Sequence, residues 1–131
     1  MKQLFNTDLS SLVLRLTFGF SMLYGHGISK LQRLIDGNMS FADPFGIGQE
    51  VSLFLVVFAE FLCAVLVTVG ILTRFTVIPL IITMFTAIFV IHISDPFKDM
   101  EMAILYLGGY LAILFIGGGK YSLDRLLPGK R

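Results

Sequence analysis

Tryptophan is absent from this sequence, cysteine occurs once, and charged residues make up only 15% of it. The lone Cys63 excludes an intramolecular disulfide or dithiol redox centre, because either needs two thiols in one chain. It lies in an apolar stretch, where a thiol is usually an unreactive packing residue. The net charge of +1 argues against a nucleic-acid partner, since that would need a clustered basic surface.

Apolar side chains take the place of the missing charge. They form 56% of the 131 residues, and the mean hydropathy is +0.85, well above the usual composition of soluble domains. With 13 Phe and no Trp, Tyr and basic side chains must anchor the chain at the membrane interfaces. The composition predicts an integral membrane protein in contact with the lipid bilayer, folded as a single domain over residues 1–131.

Four apolar stretches are separated by polar or turn-forming residues. They predict an all-α, four-helix transmembrane bundle with spans near residues 9–28, 51–72, 75–93 and 101–116. Residues 1–8 make a poor signal peptide, because Arg15 interrupts the apolar run that follows. The connection at residues 32–49 is the longest, and its Asp, Asn, Gly and Pro residues mark turns. We expect this loop to form a lid over the bundle.

Lys and Arg are distributed unequally between the two ends of such a bundle. One side has three of them, Lys30, Arg33 and Lys98, and the other has six: Lys2, Arg74, Lys120, Arg125, Lys130 and Arg131. By the positive-inside rule, the side with six faces the cytoplasm. The sequence therefore predicts that both termini are cytoplasmic.

Glu60 is an acid near the middle of the second span. An acidic side chain at a helix centre costs roughly 2.5–3.5 kcal/mol on insertion scales. The surrounding Leu, Ile, Phe and Val residues offset this at roughly 0.3–0.6 kcal/mol each, so the helix is expected to insert. Glu60 then needs a cation, a proton or a ligand. Arg15 in the first span is one candidate, as a buried ion pair that would fix the helix register.

Each of the four spans carries at least one ionisable residue, and these are predicted to converge. Helical spacing places the ionisable residues of the first span on one face. His92 ends the third span, and Glu101 begins the fourth on the same side of the membrane. The sequence predicts a polar intramembrane site from midplane to outer face that comprises Arg15, His26, Lys30, Glu60, His92 and Glu101.

Several kinds of chemistry fit these residues. A quinone or phenolic molecule would meet His26, His92 or Lys30, with Glu60 handling protons. The two histidines would alternatively clamp a haem or, together with Glu60 and Glu101, hold a divalent metal. A proton or ion path is a third interpretation. In the structural alternative, the same charges only lock the helices together, and the helix dipole accounts for Glu101.

Taken in order, these residues resemble the DoxX family of small four-helix bacterial membrane proteins. The resemblance rests on Arg15, GHGISKL at residues 25–31, Glu60, GILTR at residues 70–74, His92, Glu101 and GGGKYSLD at residues 117–124. It implies a multi-pass protein of the bacterial cytoplasmic (inner) membrane. It also implies a link to quinone or respiratory redox chemistry and to oxidative or thiol stress, often beside protein partners. It implies no particular reaction, so enzymatic activity stays open.

The leading hypothesis is a redox-associated membrane subunit, an oxidoreductase component, that binds a quinone or similar small redox molecule in the polar site. The first alternative is a non-enzymatic membrane anchor or assembly partner for other redox proteins. A transporter of protons or small molecules is the third candidate. With 131 residues, alternating access would require a homo-oligomer.

Overall fold

The computed structural model describes residues 6–128, which form four helices and no strand. Helix α1 covers residues 7–35, α2 is Gln49–Val69, α3 is Thr73–Ile91 and α4 is Phe97–Ile116. A short 3-10 turn, Leu123–Leu126, follows α4. The predicted all-α membrane bundle is confirmed. The main differences in bounds are that α1 continues to residue 35 and that α4 begins four residues earlier than expected.

Three helices, α2, α3 and α4, are long and apolar enough to cross a membrane. Helix α1 has the length but is more polar, because it contains Arg15, His26 and Lys30. It runs antiparallel to α2 in direct backbone contact, and therefore accompanies a membrane-crossing helix along its length. Which end of the bundle faces the cytoplasm stays a prediction. Lys2, Lys130 and Arg131, which contributed to it, lie outside the described residues.

The helices pack in chain order, and α4 closes the bundle against α1. The Tyr110 hydroxyl on α4 donates a hydrogen bond to the Phe18 carbonyl on α1 at 3.2 Å. The rings of these two residues meet edge to face at 6.3 Å. The core between the helices is apolar, with Met22, Ala59, Cys63, Ala64, Val67, Val77, Leu80, Met84, Tyr110 and Ile113 buried in it. Cys63 is thus buried, as expected of a packing residue.

Two glycines set the distance between α1 and α2. A Cβ atom on Gly19 would lie 2.5 Å from the Thr68 hydroxyl oxygen, and one on Gly27 would lie 2.1 Å from the Glu60 carbonyl oxygen. Small residues allow such close backbone approach between membrane helices. The two contacts are eight residues apart on both helices, in opposite directions. They therefore fix the antiparallel register of α1 on α2.

Gly27→Ala is expected to lower the midpoint of thermal unfolding in mild detergent, because the two backbones must separate to admit the new methyl group. Overpacking of this kind costs about 1–3 kcal/mol. Gly25→Ala is the matched control, since a Cβ atom there meets nothing within 4 Å. Equal losses in the two variants would contradict the close approach at Gly27.

Candidate functional site

Glu60 is paired with Lys30. The Lys30 ammonium on α1 donates a hydrogen bond to Glu60 Oε2 on α2, and the Glu60 side chain is 4% exposed while that of Lys30 is 24% exposed. The pair is possible because α1 contacts α2 at Gly27, one turn before Lys30. Glu60 lies in a π-helical stretch of α2, Phe58–Cys63, a local geometry that is frequent at functional sites.

A cavity of about 190 Å³ lies beside this pair, between α2, α3 and the loop at residues 36–48. Lys30 and Glu60 are the ionisable side chains in its wall. The hydroxyls of Ser52, Thr83 and Thr86 also line it, and the rest is apolar: Phe41, Ala42, Pro44, Phe45, Ile47, Leu55, Val56, Ile82, Met84, Ala87 and Ile91. The cavity is thus an apolar chamber with one buried ion pair, the usual make-up of a small-molecule site.

The loop supplies one wall of this cavity, as expected of a lid. Phe41 connects it to α1, because its ring lies 5.9 Å from the Lys30 ammonium and 5.8 Å from the Arg33 guanidinium carbon. Arg33 also donates a hydrogen bond to the Ser40 carbonyl. The loop is therefore joined to α1 immediately beyond the ion pair.

Asp43 organises the other half of the loop. Its carboxylate accepts hydrogen bonds from the backbone N–H groups of Ile47 and Gly48, both at 2.9 Å, and from the Ser52 hydroxyl at 3.1 Å. The Gly48 N–H, with smaller contributions from Ser52 and Ile47, holds the pKa of Asp43 below its ordinary value. The ionised carboxylate therefore joins the loop to the first turn of α2.

Since the folded-state pKa of Asp43 is lowered, its support of the loop is complete above the ordinary carboxyl pKa of about 3.9 and is lost as pH falls through the lower folded value. Asp43→Asn is expected to speed hydrogen exchange of the Ile47 and Gly48 amides at neutral pH. Asp36→Asn is the matched control, because within residues 6–128 the Asp36 carboxylate accepts only from the Gln32 side chain. Unchanged exchange in Asp43→Asn would refute the role of Asp43.

Arg15 does not pair with Glu60. Its guanidinium is 1% exposed and donates to the Thr68 carbonyl at 2.9 Å and the Tyr121 carbonyl at 2.8 Å. Both acceptors lie at the other end of the bundle, where α2 ends. The expected Arg15–Glu60 ion pair is wrong, because the register set by the two glycines places Arg15 beside Thr68, eight residues from Glu60.

The other predicted site residues, His26, His92 and Glu101, also have separate surroundings. His26 contacts the Tyr106 ring edge to face at 5.9 Å, and His92 Nδ1 lies 2.8 Å from the carboxylate of Asp95 in its own turn. Glu101 is exposed. Of the six predicted residues, the structure brings together Lys30 and Glu60, and it shows no continuous line of charges from Arg15 to Glu101.

Metal binding by these residues has no support in the geometry. Within residues 6–128, no three His, Cys, Asp or Glu side chains lie close enough together to hold a metal ion. The alternative metal site of His26, His92, Glu60 and Glu101 is therefore wrong. The two histidines of the haem alternative have different partners, the Tyr106 ring for His26 and the Asp95 carboxylate for His92, and this alternative stays a prediction.

The walls supplied by α3 are what sequence reasoning missed. In the sequence, Thr83 and Thr86 are two hydroxyl side chains three residues apart in an apolar helix, a spacing that places them on one face. Both donate to carbonyls of their own helix, at Pro79 and Ile82, each at 2.8 Å. Only the fold shows that this face of α3 belongs to a cavity, because the loop residues that form the opposite wall are distant in the sequence.

Residues 10–93 match the sequence model of the DoxX family, and this range is more than half of the chain. The chain belongs to the DoxX family. In this DoxX protein the matched range contains the Lys30–Glu60 pair, the loop and every residue that lines the cavity. Comparisons with curated proteins and with solved structures gave no match.

A double-mutant cycle tests the ion pair. Lys30→Met is expected to cost about 3–5 kcal/mol, because Glu60 then stays buried without a cation. Glu60→Gln is expected to cost less, since the more exposed Lys30 can turn its ammonium toward the interface. The double variant should recover most of the loss in a denaturation assay in detergent. Additive losses would show that the two side chains do not interact.

Proposed function

We propose that this DoxX protein is a redox-associated subunit of the bacterial cytoplasmic (inner) membrane that binds a quinone-like molecule in the 190 Å³ cavity. The observation that carries the proposal is the position of one buried ion pair in the wall of an otherwise apolar chamber. A quinone head group is a flat apolar ring with carbonyl oxygens. The Lys30 ammonium would donate to such an oxygen, and Glu60 would exchange a proton with the bound molecule.

The size and opening of the cavity support this class of ligand. Its volume is close to that of an engineered cavity of about 150 Å³ that holds benzene, so one substituted ring fits while a long tail must lie outside. Several lining residues are also strongly exposed, among them Leu55 at 54% and Ile82 at 57%. Both belong to membrane-crossing helices, so the cavity opens toward lipid. A quinone that arrives from the bilayer would enter there.

The protein's share of the chemistry is binding, orientation and proton transfer. Reduction of a quinone to a quinol takes two electrons and two protons. The proposal assigns the electrons to a partner redox protein in the membrane and the protons to water, with Glu60 passing them on one at a time. The loop at residues 36–48 would exclude water from the ring, which strengthens the hydrogen bond from Lys30.

A second candidate is a non-enzymatic anchor or assembly partner. It is favoured by the ion pair itself, because Lys30 and Glu60 satisfy each other without a ligand. Helix α4 adds to this, since only 17% of its apolar stretch is buried, against 44% for α2. In this case the pair fixes the helices and the exposed face of α4 meets a partner protein.

Lipid extraction from protein purified in mild detergent distinguishes the two candidates. The quinone hypothesis expects a stoichiometric quinone in the wild type and its loss in Ala87→Phe, which fills the cavity while leaving the ion pair intact. Val90→Phe is the matched control on the same helix, because Val90 is 45% exposed and does not line the cavity. A wild-type protein without quinone would support the anchor instead. Equal quinone in all three proteins would place the molecule elsewhere.

A further inference from the structure

A second cavity, of about 340 Å³, lies at the opposite end of the bundle from the ion pair. It is an open cleft bordered by the first turn of α3, the end of α4 and the segment that follows α4. Its walls are two arginines, one aspartate, one isoleucine and three consecutive glycines: Arg74, Arg125, Asp124, Ile116, Gly117, Gly118 and Gly119. This is a polar site, unlike the cavity under the loop.

The one acidic side chain in this wall, Asp124, already accepts hydrogen bonds from the start of α3. Asp124 Oδ1 accepts from the Leu72 N–H at 2.6 Å, and Oδ2 accepts from the Thr73 N–H at 3.1 Å and the Thr73 hydroxyl at 2.6 Å. A carboxylate is favoured at a helix N-terminus by the free N–H groups and the helix dipole. The hydrogen bonds to α3 therefore occupy the Asp124 carboxylate. The two guanidinium groups are the charged groups of the wall that can bind a ligand.

Arg74 is held in position by the end of α4 and still has N–H donors that make no hydrogen bond within residues 6–128. Its Nη2 donates to the Phe115 carbonyl at 3.2 Å and, more weakly, to the Ile116 carbonyl at 3.5 Å. A guanidinium has five N–H donors, so most of those on Arg74 stay available. Arg125 is exposed, and none of its donors has an acceptor within residues 6–128.

The glycines add backbone donors to the same wall. Gly117 and Gly119 have positive φ angles of 83° and 73°, a conformation that few other residues adopt readily. Within the described part of the chain, the N–H groups of Gly118 and Gly119 have no hydrogen-bond acceptor. Free backbone N–H groups are good hydrogen-bond donors to an anion. Two arginines and two glycines with free amides thus line one cavity.

We propose that this cavity binds the phosphate head group of an anionic phospholipid. Arginine forks and backbone N–H groups are the donors that phosphate prefers. The cavity lies where α3 begins and α4 ends, and hence at head-group depth for two membrane-crossing helices. Phe115 and Leu126, next in sequence to two lining residues, are 75% and 69% exposed, as acyl-chain contacts would require. The predicted orientation also places this end in the leaflet that is richer in anionic lipid.

This proposal does not depend on the proposed function, and it is tested with the full chain in mild detergent. Native mass spectrometry would measure the affinity for phosphatidylglycerol, with phosphatidylcholine as the neutral comparison. Arg125→Gln is expected to weaken phosphatidylglycerol binding about tenfold, the loss expected for one charge-assisted hydrogen bond. Arg74→Gln should weaken it as well. Since Arg74 also bonds the end of α4, Arg125→Gln is the deciding variant.

Lys120→Gln is the matched control. It removes one positive charge from the same end of the bundle, and Lys120 lies over the Tyr121 ring at 5.7 Å outside the cavity wall. Its affinity should stay within about twofold of the wild type, as for an exposed charge. Unchanged binding in Arg125→Gln, or an equal loss in Lys120→Gln, would overturn the proposal. So would inorganic phosphate that competes as well as the lipid at equal concentration, because the ligand would then be a free anion.

Discussion

The direct backbone contact between α1 and α2 is the constraint from which the rest of this structure follows. Gly19 and Gly27 bring the two helices so close that no side chain fits between them at either point. Because both contacts must form together, only one register is available. That register places Lys30 beside Glu60 at one end and Arg15 beside the end of α2 at the other. Two separate polar centres therefore result from the packing of one helix pair.

The two centres solve the same problem in different ways. Inside a membrane, a polar group without an internal partner is costly. Glu60 is neutralised by a lysine that keeps part of its side chain exposed. Arg15 instead donates to the carbonyls of Thr68 and Tyr121, the first of them in the last turn of α2, where carbonyls have no helical donor. The first solution leaves a charged pair beside a cavity, whereas the second joins two backbone segments.

The GGGKYSLD segment is one of the two motifs on which the family resemblance rests most, and several of its contacts are structural. The Ser11 hydroxyl donates to the carbonyls of Gly117 and Gly118 at 2.6 and 2.9 Å. Asp124 caps α3, and a Cβ atom on Gly118 would lie 2.6 Å from the Asp124 carboxylate. Gly117, Gly118 and Asp124 therefore hold this segment against α1 and the start of α3. The same folding shapes the polar cavity.

Sequence alone predicts the helices and the need of Glu60 for a partner, but not which cation it takes. Apolar runs are local, and so is the cost of a buried acid. Helical spacing places Arg15 and Lys30 on one face, and the choice between them depends on the glycine contacts and on Tyr121, far away in the chain. The sequence predicts His92 and Glu101 in the site because both stand at helix ends on the same side of the membrane. The depth of a residue in the membrane does not show which way its side chain points. His92 contacts Asp95, and Glu101 is exposed.

The position of Tyr121 also has a consequence for synthesis of the protein. Arg15 is made early, and one of its two carbonyl acceptors comes 106 residues later. The acceptors of Ser11 follow almost as late. While the ribosome is still producing α3 and α4, the first helix carries an incompletely bonded guanidinium. It gains its Tyr121 acceptor only when the segment after α4 has emerged, so this segment completes the polar centre around Arg15.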